Sequence, residues 1–572
     1  MFWDATTWYG PTSQSLEYTD PMLNIVEVNV VVVSYFGTDG IRGETSLDSV
    51  DEEDAILALT QRRTLHTSFM RVLGESLSHV QSLFPGQGNT VVVGWDDRPH
   101  NNAIVAALTL GLRLSGSDVV HIGLCATPTL HAAVLQNDAR MGCMITASHN
   151  PVTDSGIKVF DAHGFKTTPE QEREISKTLQ SLACEEREVN LDEQNHLSQP
   201  NKSMGKQWAT EFHKTWLEQR WTVFEAVFGG CASAVQNGRI ATPFLLDCAH
   251  GAGASWLADF LNQRGIMAQE VSNVAEALNA NCGAGDFSPT ETWTVEEAAS
   301  SSHALLSQLS PAKEGTLVGA ALDGDGDRCL LIETTANGYK VVDGDAMAAM
   351  LMEAGCEQGP WLFAASIESD VALTGFVSQY NSKTQCFETA VGDRWLSVGL
   401  RHSDGLFVQK SMPLRLGVED SGHLVLPAPR PNRLGEWSLV GDGAASLCAF
   451  LLSQDASKSD SFHRGWKRRV SVKESHRERW QRGNELQQTV SEHLLSSLDS
   501  LGIRAQLRTI VGEENLLLVH GEGAGGTLSF GIRNSGTQAK TSISLRLSPE
   551  LEVEHFLSLL ENIEHDLAKA LQ

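Results

Sequence analysis

Residues 89–123 read NTVVVGWDDRPHNNAIVAALTLGLRLSGSDVVHIG. An apolar strand, a polar turn, a helical stretch, a glycine and a second apolar strand succeed one another. Residues 240–271, IATPFLLDCAHGAGASWLADFLNQRGIMAQEV, repeat that order, and so do residues 360–391, PWLFAASIESDVALTGFVSQYNSKTQCFETAV. The three windows share few identical residues but one pattern. Two strands joined through a helix need a crossover, which predicts parallel pairing in α/β layers. Three such units set far apart predict three related α/β domains.

The chain has 572 residues, too many for one core, and about three to five domains are expected from length. A polar, proline-punctuated stretch at 183–207 reads as a linker, and 452–465 reads as a second break. Beyond it, GTLSFGIRNSGTQAKTSISLRL (526–547) alternates as a smaller α+β domain would. The 71 acidic residues outnumber the 43 basic ones, for a net charge of −28. That balance argues against nucleic acid or an anionic membrane as partner. An anionic substrate would need local basic clusters to overcome it. The basic run HRGWKRRVSVKESHRERW from His463 reads instead as a linker entering a strand. No apolar run approaches the roughly 18–20 residues of a membrane helix. Residues 1–34 carry acids and lack the basic start of a signal peptide, so they read as an accessory extension. Ten cysteines are scattered with no CxxC pair, which fits free thiols in a reducing cytoplasm and offers no cysteine zinc site.

Five stretches bear polar chemistry. MITASHNPVTDSGIKVF (144–160) places Ser148 beside His149, with Lys158 ten residues past the serine. Its turn-forming composition leaves open whether Ser148 is a nucleophile or a polar loop residue. In AALDGDGDRCLLIE (320–333), Asp323, Asp325 and Asp327 recur every second residue. In an extended segment they share one face, where three carboxylates repel unless a cation sits among them. Oxygen-only ligands suit Mg²⁺ or another hard divalent ion. An EF-hand loop would need glutamate at its twelfth position, and Thr334 stands there. RNSGTQAKTSISLR groups Arg533, Ser535, Gly536 and Thr537, as an anion-binding loop or an ordinary turn would. LGVEDSGHLVLP aligns Glu419, Ser421 and His423, and YFGTDGIRGE sets Arg42 between glycines.

Taken together and in this order, with DCAHGAG (247–253) and VGDRW (391–395), these stretches resemble the α-D-phosphohexomutase family. The resemblance runs from Tyr35 to about Leu547, and YFGTDGIRG with LDGDGDR and VGDRW looks most like the family's phosphoglucosamine mutases. It implies three related α/β domains plus a smaller α+β C-terminal domain around a central cleft. The expected spans are 35–185, with the phosphoserine loop; 206–312; 313–455, with the metal and sugar loops; and 466–572, with the phosphate loop. The resemblance makes Ser148 the carrier of the phosphoryl group and a ligand of Mg²⁺ together with Asp323, Asp325 and Asp327. Lys158 becomes a candidate general acid/base, with His149 as runner-up and Arg42 as a catalytic cation. Substrate contacts fall to Arg328, Asp393, Arg394, Glu419, Ser421 and His423. Arg533, Ser535, Gly536 and Thr537 match the loop for the non-reacting phosphate. Gln538 and Ala539 replace the family's usual Glu-Pro, so either Lys540 or Arg546 completes that clamp. Val418 and Asp420 depart from the usual sugar loop of the phosphoglucosamine mutases.

The implied activity is exchange of phosphate between the 6- and 1-oxygens of a hexose, foremost glucosamine, with mannose and glucose phosphates as alternatives. The route lends the serine's phosphate to the sugar, passes through a hexose 1,6-bisphosphate that also serves as activator, and reclaims the other phosphate. Phosphoserine contributes about −2, three aspartates −3 and the metal +2, which leaves about −3 for Arg42, Lys158 and Arg328 to offset. For Lys158 to act as a base its pKa would have to fall well below about 10.4. Two rival readings are a phosphoserine-dependent sugar phosphatase and a non-catalytic sugar-phosphate binder.

Overall fold

The computed structural model describes residues 34–185, 190–401, 405–456, 462–534 and 540–572. Of the expected extension only Ser34 falls among them. Four sheets organise the chain. The first holds β1 (Ile41–Ser46), β2 (Thr64–His66), β3 (Thr90–Trp95), β4 (Asp118–Leu124), β5 (Met141–Ile145), β6 (Asp154–Asp161) and β7 (Lys202–Ser203). The second holds β8 (Ile240–Asp247), β9 (Ala268–Glu270), β10 (Thr292–Thr294), β11 (Leu317–Leu322), β12 (Cys329–Thr335) and β13 (Gly338–Val342). The third holds β14 (Leu362–Ser366), β15 (Gln385–Thr389), β16 (Phe407–Val408), β17 (Arg415–Val418), β18 (Leu424–Pro429) and β19 (Glu436–Gly441). The fourth holds β20 (Trp466–Lys473), β21 (Arg504–Arg508), β22 (Leu517–Gly523), β23 (Gly526–Asn534) and β24 (Lys540–Leu547).

Each of the three windows forms the expected unit. The pairs β3–β4, β8–β9 and β14–β15 are parallel, each joined through a helix. In the first unit Val91, Val92 and Val93 are buried, so both faces of β3 are covered. The helix Asn101–Leu114 buries Ile104, Leu108 and Leu112 at four-residue spacing. It packs closely on helix Thr67–His79. A Cβ on Gly111 would fall 1.8 Å from the Arg71 carbonyl oxygen, so only glycine permits the approach.

The three units also continue alike. On its other side the first strand of each pairs in parallel with β5, β11 or β17. That strand then turns into an antiparallel partner, β6, β12 or β18. The serine loop, the metal loop and the sugar loop are these three turns. They occupy one topological position in three related sheets. The metal loop therefore belongs to the second sheet. The boundary expected between residues 312 and 313 cuts that sheet, because β11 is hydrogen-bonded to β8 as well as to β12. The stretch 183–207 is likewise more than a linker: Lys202 and Ser203 pair in parallel with Val120 and His121 at the edge of the first sheet. Asn201 secures them by accepting from the Val119 N–H at 2.9 Å.

The fourth sheet is antiparallel throughout, in the order β20-β24-β23-β22-β21. Helices Glu485–Ser500 and Glu554–Leu571 supply Leu494, Leu498, Leu560, Ile563 and Leu567 to its core. The basic run from His463 enters it as β20, as expected.

Charged pairs tie the sheets together. Arg394, at the start of helix Asp393–Leu400, forms a bidentate pair with Glu172 of helix Pro169–Ala183, with one contact at 3.1 Å. Both side chains are 8% exposed. Removing one partner would strand a buried charge. We expect Arg394→Ala to destabilise the protein by about 3–5 kcal/mol. Urea titrations of both single variants and the double variant measure this; a loss under about 1 kcal/mol would contradict the buried pairing.

Candidate active site

The turn after β5 is built around Ser148. Its backbone is left-handed, with φ of +55°, and the residue is fully buried. A non-glycine residue there costs about 1–2 kcal/mol, so the surroundings must impose it. Thr146 Oγ1 accepts from the Ser148 N–H at 2.8 Å and donates to Asp96 at 2.7 Å. Asp96 in turn receives Arg98 Nε at 2.9 Å. The Ser148 carbonyl accepts from Arg98 Nη2 and, from the second sheet's side, from Asn279 Nδ2, each at 2.8 Å. Arg98 also donates to the carbonyls of Asn150, Pro151 and Asp154, which wraps the whole turn around one guanidinium.

The Ser148 hydroxyl donates to Asp323 Oδ2 at 2.8 Å, across a sequence separation of 175 residues. The metal loop thus meets the serine loop directly. A Cβ on Gly324 would lie 2.9 Å from the Ser148 carbonyl oxygen and 2.6 Å from the Asn279 amide, so the approach requires glycine. Asp323 Oδ1 accepts from the N–H groups of Asp327 and Arg328 at 3.1 Å, which curls the loop. Asp323, Asp325 and Asp327 are all buried, and one oxygen of each lies within 4.8 Å of the others. Burial first, then Asp327 and Asp325, push the Asp323 carboxyl up to about 7. Asp325 Oδ1 and Asp327 Oδ1 are buried with no hydrogen-bond partner. Hard oxygen donors with lone pairs to spare fit a divalent cation such as Mg²⁺.

Lys158, on β6, extends its ammonium to Asp325 at 2.6 Å, Asp327 at 2.7 Å and Asp39 at 3.1 Å. Burial would depress its pKa, but these three carboxylates outweigh burial and raise it well above the ordinary value. Beside these three carboxylates Lys158 is a buried cation. His149 is exposed by area yet crowded against Gly285 of the second sheet's loops. Desolvation, then Arg328 and Arg42, push its pKa down to about 3, so its imidazole is neutral. Arg42 reaches Asn150 at 3.2 Å and Asp39 at 3.3 Å. Arg328 lies 3.9 Å from both Asp323 and Asp327.

The third sheet's turn carries Glu419, whose Oε1 accepts from the Gly392 N–H at 2.7 Å. Glu419, Ser421 and Arg328 line a cavity of about 480 Å³ to which the fourth sheet adds Arg469 and Arg546. The His423 carbonyl accepts from the Glu419 N–H at 3.0 Å, so the two residues adjoin. His423 is buried between Asp327 at 3.5 Å and Asp393 at 3.6 Å, behind the metal loop. Burial opposes its charge, but the two acids raise its pKa to about 10. Asp393 and Arg394, expected at substrate, pair with Lys166 at 3.0 Å and with Glu172. Both pairs link the first and third sheets.

Arg533 ends β23 and lines a second cavity, of about 680 Å³, with Thr38, Arg394 and Trp395. Ser535, Gly536, Thr537, Gln538 and Ala539 lie outside the described residues. Arg546 is unsuited to complete the clamp: it donates to the Ser369 carbonyl at 2.8 Å and to Ser529 at 2.7 Å, and pairs with Glu388 at 3.2 Å. Lys540 is the remaining candidate. Sequence reasoning missed Asp39, Arg98, Lys166 and Asn279. Asp39 stands in the quoted YFGTDGIRGE and could have been taken with Arg42. Nothing local marks Asn279.

The description "Phosphoglucomutase/phosphomannomutase, alpha/beta/alpha domain I" fits residues 33–185, and the corresponding domain III fits 343–464. The phosphoglucosamine mutase of Rhodococcus opacus (strain B4) is 28% identical over 396 residues, 69% of this chain and 74% of that protein. The phosphoglucosamine mutase of Mycolicibacterium smegmatis is 27% identical over 440 residues, 75% of this chain and 82% of that protein. Among solved structures, the open form of Paramecium pp63/parafusin, a phosphoglucomutase, superposes with a TM-score of 0.61 at 16% identity, covering 94% of this chain and 96% of that one. A phosphoglucomutase/phosphomannomutase family protein of Burkholderia thailandensis gives 0.59 at 18% identity, with the same coverage. Aspergillus fumigatus N-acetylphosphoglucosamine mutase, solved with GlcNAc-6P and magnesium, gives 0.53 at 15% identity, covering 88% and 99%. The family domains, the mutase relatives and the shared four-domain fold together support the α-D-phosphohexomutase family of isomerases for this chain.

Proposed function

We propose that the protein interconverts hexose 6-phosphate and hexose 1-phosphate through a phosphorylated Ser148, and that glucosamine 6-phosphate is its principal substrate. The observation that carries the reaction is the buried, left-handed Ser148 whose hydroxyl touches the three-acid loop at 2.8 Å. A serine of merely structural use has no need of that posture. The names of the relatives support glucosamine.

Asp323, Asp325 and Asp327 would hold Mg²⁺, which would stabilise negative charge on the transferring phosphoryl oxygens. In the first transfer the sugar hydroxyl oxygen bonds to phosphorus, the bond from phosphorus to Ser148 Oγ breaks, and a bisphosphate forms. The hydroxyl's proton finally resides on Ser148 Oγ, so no net acid or base is consumed. Lys158 is assigned an electrostatic role beside Arg42 and Arg328, and neutral His149 is assigned as the group that takes the proton in transit. Such transfers have loose transition states and ask little of a base. Glu419 and Ser421 are assigned to the sugar hydroxyls, and the Arg533 loop to the phosphate that does not react. The sugar must reorient between transfers, so that loop has to accept phosphate on either end. Ser148 is buried, and a phosphoryl group carried there would be kept from water, which favours transfer over hydrolysis. Ten free cysteines suit a cytoplasmic setting. Among the described residues no helix is long and apolar enough to cross a membrane.

Glucosamine, N-acetylglucosamine, mannose and glucose 6-phosphates, assayed side by side after priming with a hexose 1,6-bisphosphate, test this reading. We expect 1-phosphate as product, the highest kcat/KM for glucosamine, and loss of turnover on chelation that Mg²⁺ reverses. Inorganic phosphate as the main product would end the mutase reading.

A further inference from the structure

Arg469 on β20 lies opposite Ser544 of β24, and Gly531 of β23 lies opposite the same serine. Arg533 is two residues beyond Gly531, so both arginines project from one face of the fourth sheet. Both close on a single carboxylate. Glu368 comes from the turn after β14, in the third sheet. Its Oε1 accepts from Arg533 Nη2 at 2.8 Å, and its Oε2 lies 2.6 Å from Arg469 Nη2. Glu513 is a more distant neighbour of Arg533, at 3.7 Å. Glu368 and Arg469 line the same cavity as Arg328, Glu419 and Ser421. One anion with an oxygen for each of two guanidiniums is the arrangement a phosphate would adopt.

We propose that Glu368 is an internal competitor for the substrate's phosphate. It occupies Arg469 and Arg533 until a sugar phosphate displaces it, and Arg469 is a second phosphate-binding residue beside Arg533. This rests on the reading of the cleft as a hexose-phosphate site. The device weakens every anion that binds there by the same factor. Inorganic phosphate replaces the two charge-assisted contacts it breaks with two of its own and gains nothing further. A hexose phosphate brings hydroxyls for Glu419 and Ser421 at the same time. Competition with Glu368 sets a threshold that the sugar contacts let a hexose phosphate pass.

Binding can be read without turnover. In a Ser148→Ala background with Mg²⁺ present, inorganic phosphate and glucosamine 6-phosphate are titrated by calorimetry. Glu368→Gln should bind inorganic phosphate about tenfold tighter, the scale of one charge-assisted hydrogen bond. Glucosamine 6-phosphate should gain by the same factor, so that the preference comes from the sugar contacts. Adding Arg469→Ala to Glu368→Gln should reverse the gain. Unchanged or weaker phosphate binding in Glu368→Gln, or no effect of Arg469→Ala, overturns the proposal. Should Glu368→Gln fail to fold, Glu368→Asp decides: it retracts the carboxylate by one methylene and should tighten phosphate about threefold, and an unchanged affinity overturns the proposal. Failure of the mutase reading would show separately, as absence of isomer from the wild-type chain.

Discussion

Replacing Ser148 with alanine is expected to abolish turnover, by about 10⁴-fold or more, while glucosamine 6-phosphate still binds with nearly its original affinity. The magnitude is that of removing a covalent nucleophile whose partners remain in place. The split between binding and rate has a geometric cause. The Ser148 hydroxyl points at Asp323, and the groups assigned to sugar and phosphate lie on the third and fourth sheets. Alanine fits the same left-handed turn no worse than serine does, and the Arg98 and Asn279 hydrogen bonds fall on its backbone carbonyl. The fold should therefore survive, within about 1 kcal/mol. Intact-mass spectrometry supplies a second measurement: the wild-type chain should carry one phosphate after priming, and the variant none. A variant that keeps a tenth of the rate would remove Ser148 from the mechanism.

The second large effect concerns Asp325. Asp325→Asn should lower kcat by about 10²–10³-fold, the scale of losing one preorganised electrostatic contributor to phosphoryl transfer. The Mg²⁺ concentration for half-maximal activity should rise with it. Stability should move little, because two effects oppose. The substitution relieves repulsion among three buried carboxylates. It also takes one partner from Lys158, which keeps Asp327 at 2.7 Å and Asp39 at 3.1 Å. Activity lost with folding kept is the signature expected. An unchanged Mg²⁺ requirement would detach Asp325 from the metal, and a large loss of stability would make its role structural.

Much of this is legible in the sequence, for identifiable reasons. Each strand–helix–strand window carries its own periodicity, and a crossover of that length admits one kind of pairing. Ser148 and the aspartate trio sit in short motifs whose chemistry is local. The illegible part is set by contacts between distant residues. The second sheet is completed by β11 returning to β8 after some seventy residues. No local pattern announces the return, so a local reading joins the metal loop to the wrong neighbour. Asn279 reaches Ser148 across 131 positions and Glu368 reaches Arg533 across 165. Asp393, Arg394 and His423 have partners that their motifs do not announce. Their motifs suggest substrate, and the folded chain also uses their charges to brace one sheet against another. A charged motif names the chemistry available to a residue. The partner that consumes it is chosen by the fold.

The grip of Asn279 on the Ser148 carbonyl has a consequence for how such an enzyme can be taken apart. The serine's posture is co-owned by two units of the chain. A fragment ending after β7 would retain every strand of its sheet, together with Arg98 and Thr146, and still lack the second hand on that peptide. Its Ser148 would be free to relax toward an ordinary turn. The serine's posture is a property of assembly, comparable to a site shared between subunits, except that both halves are delivered by a single translation product.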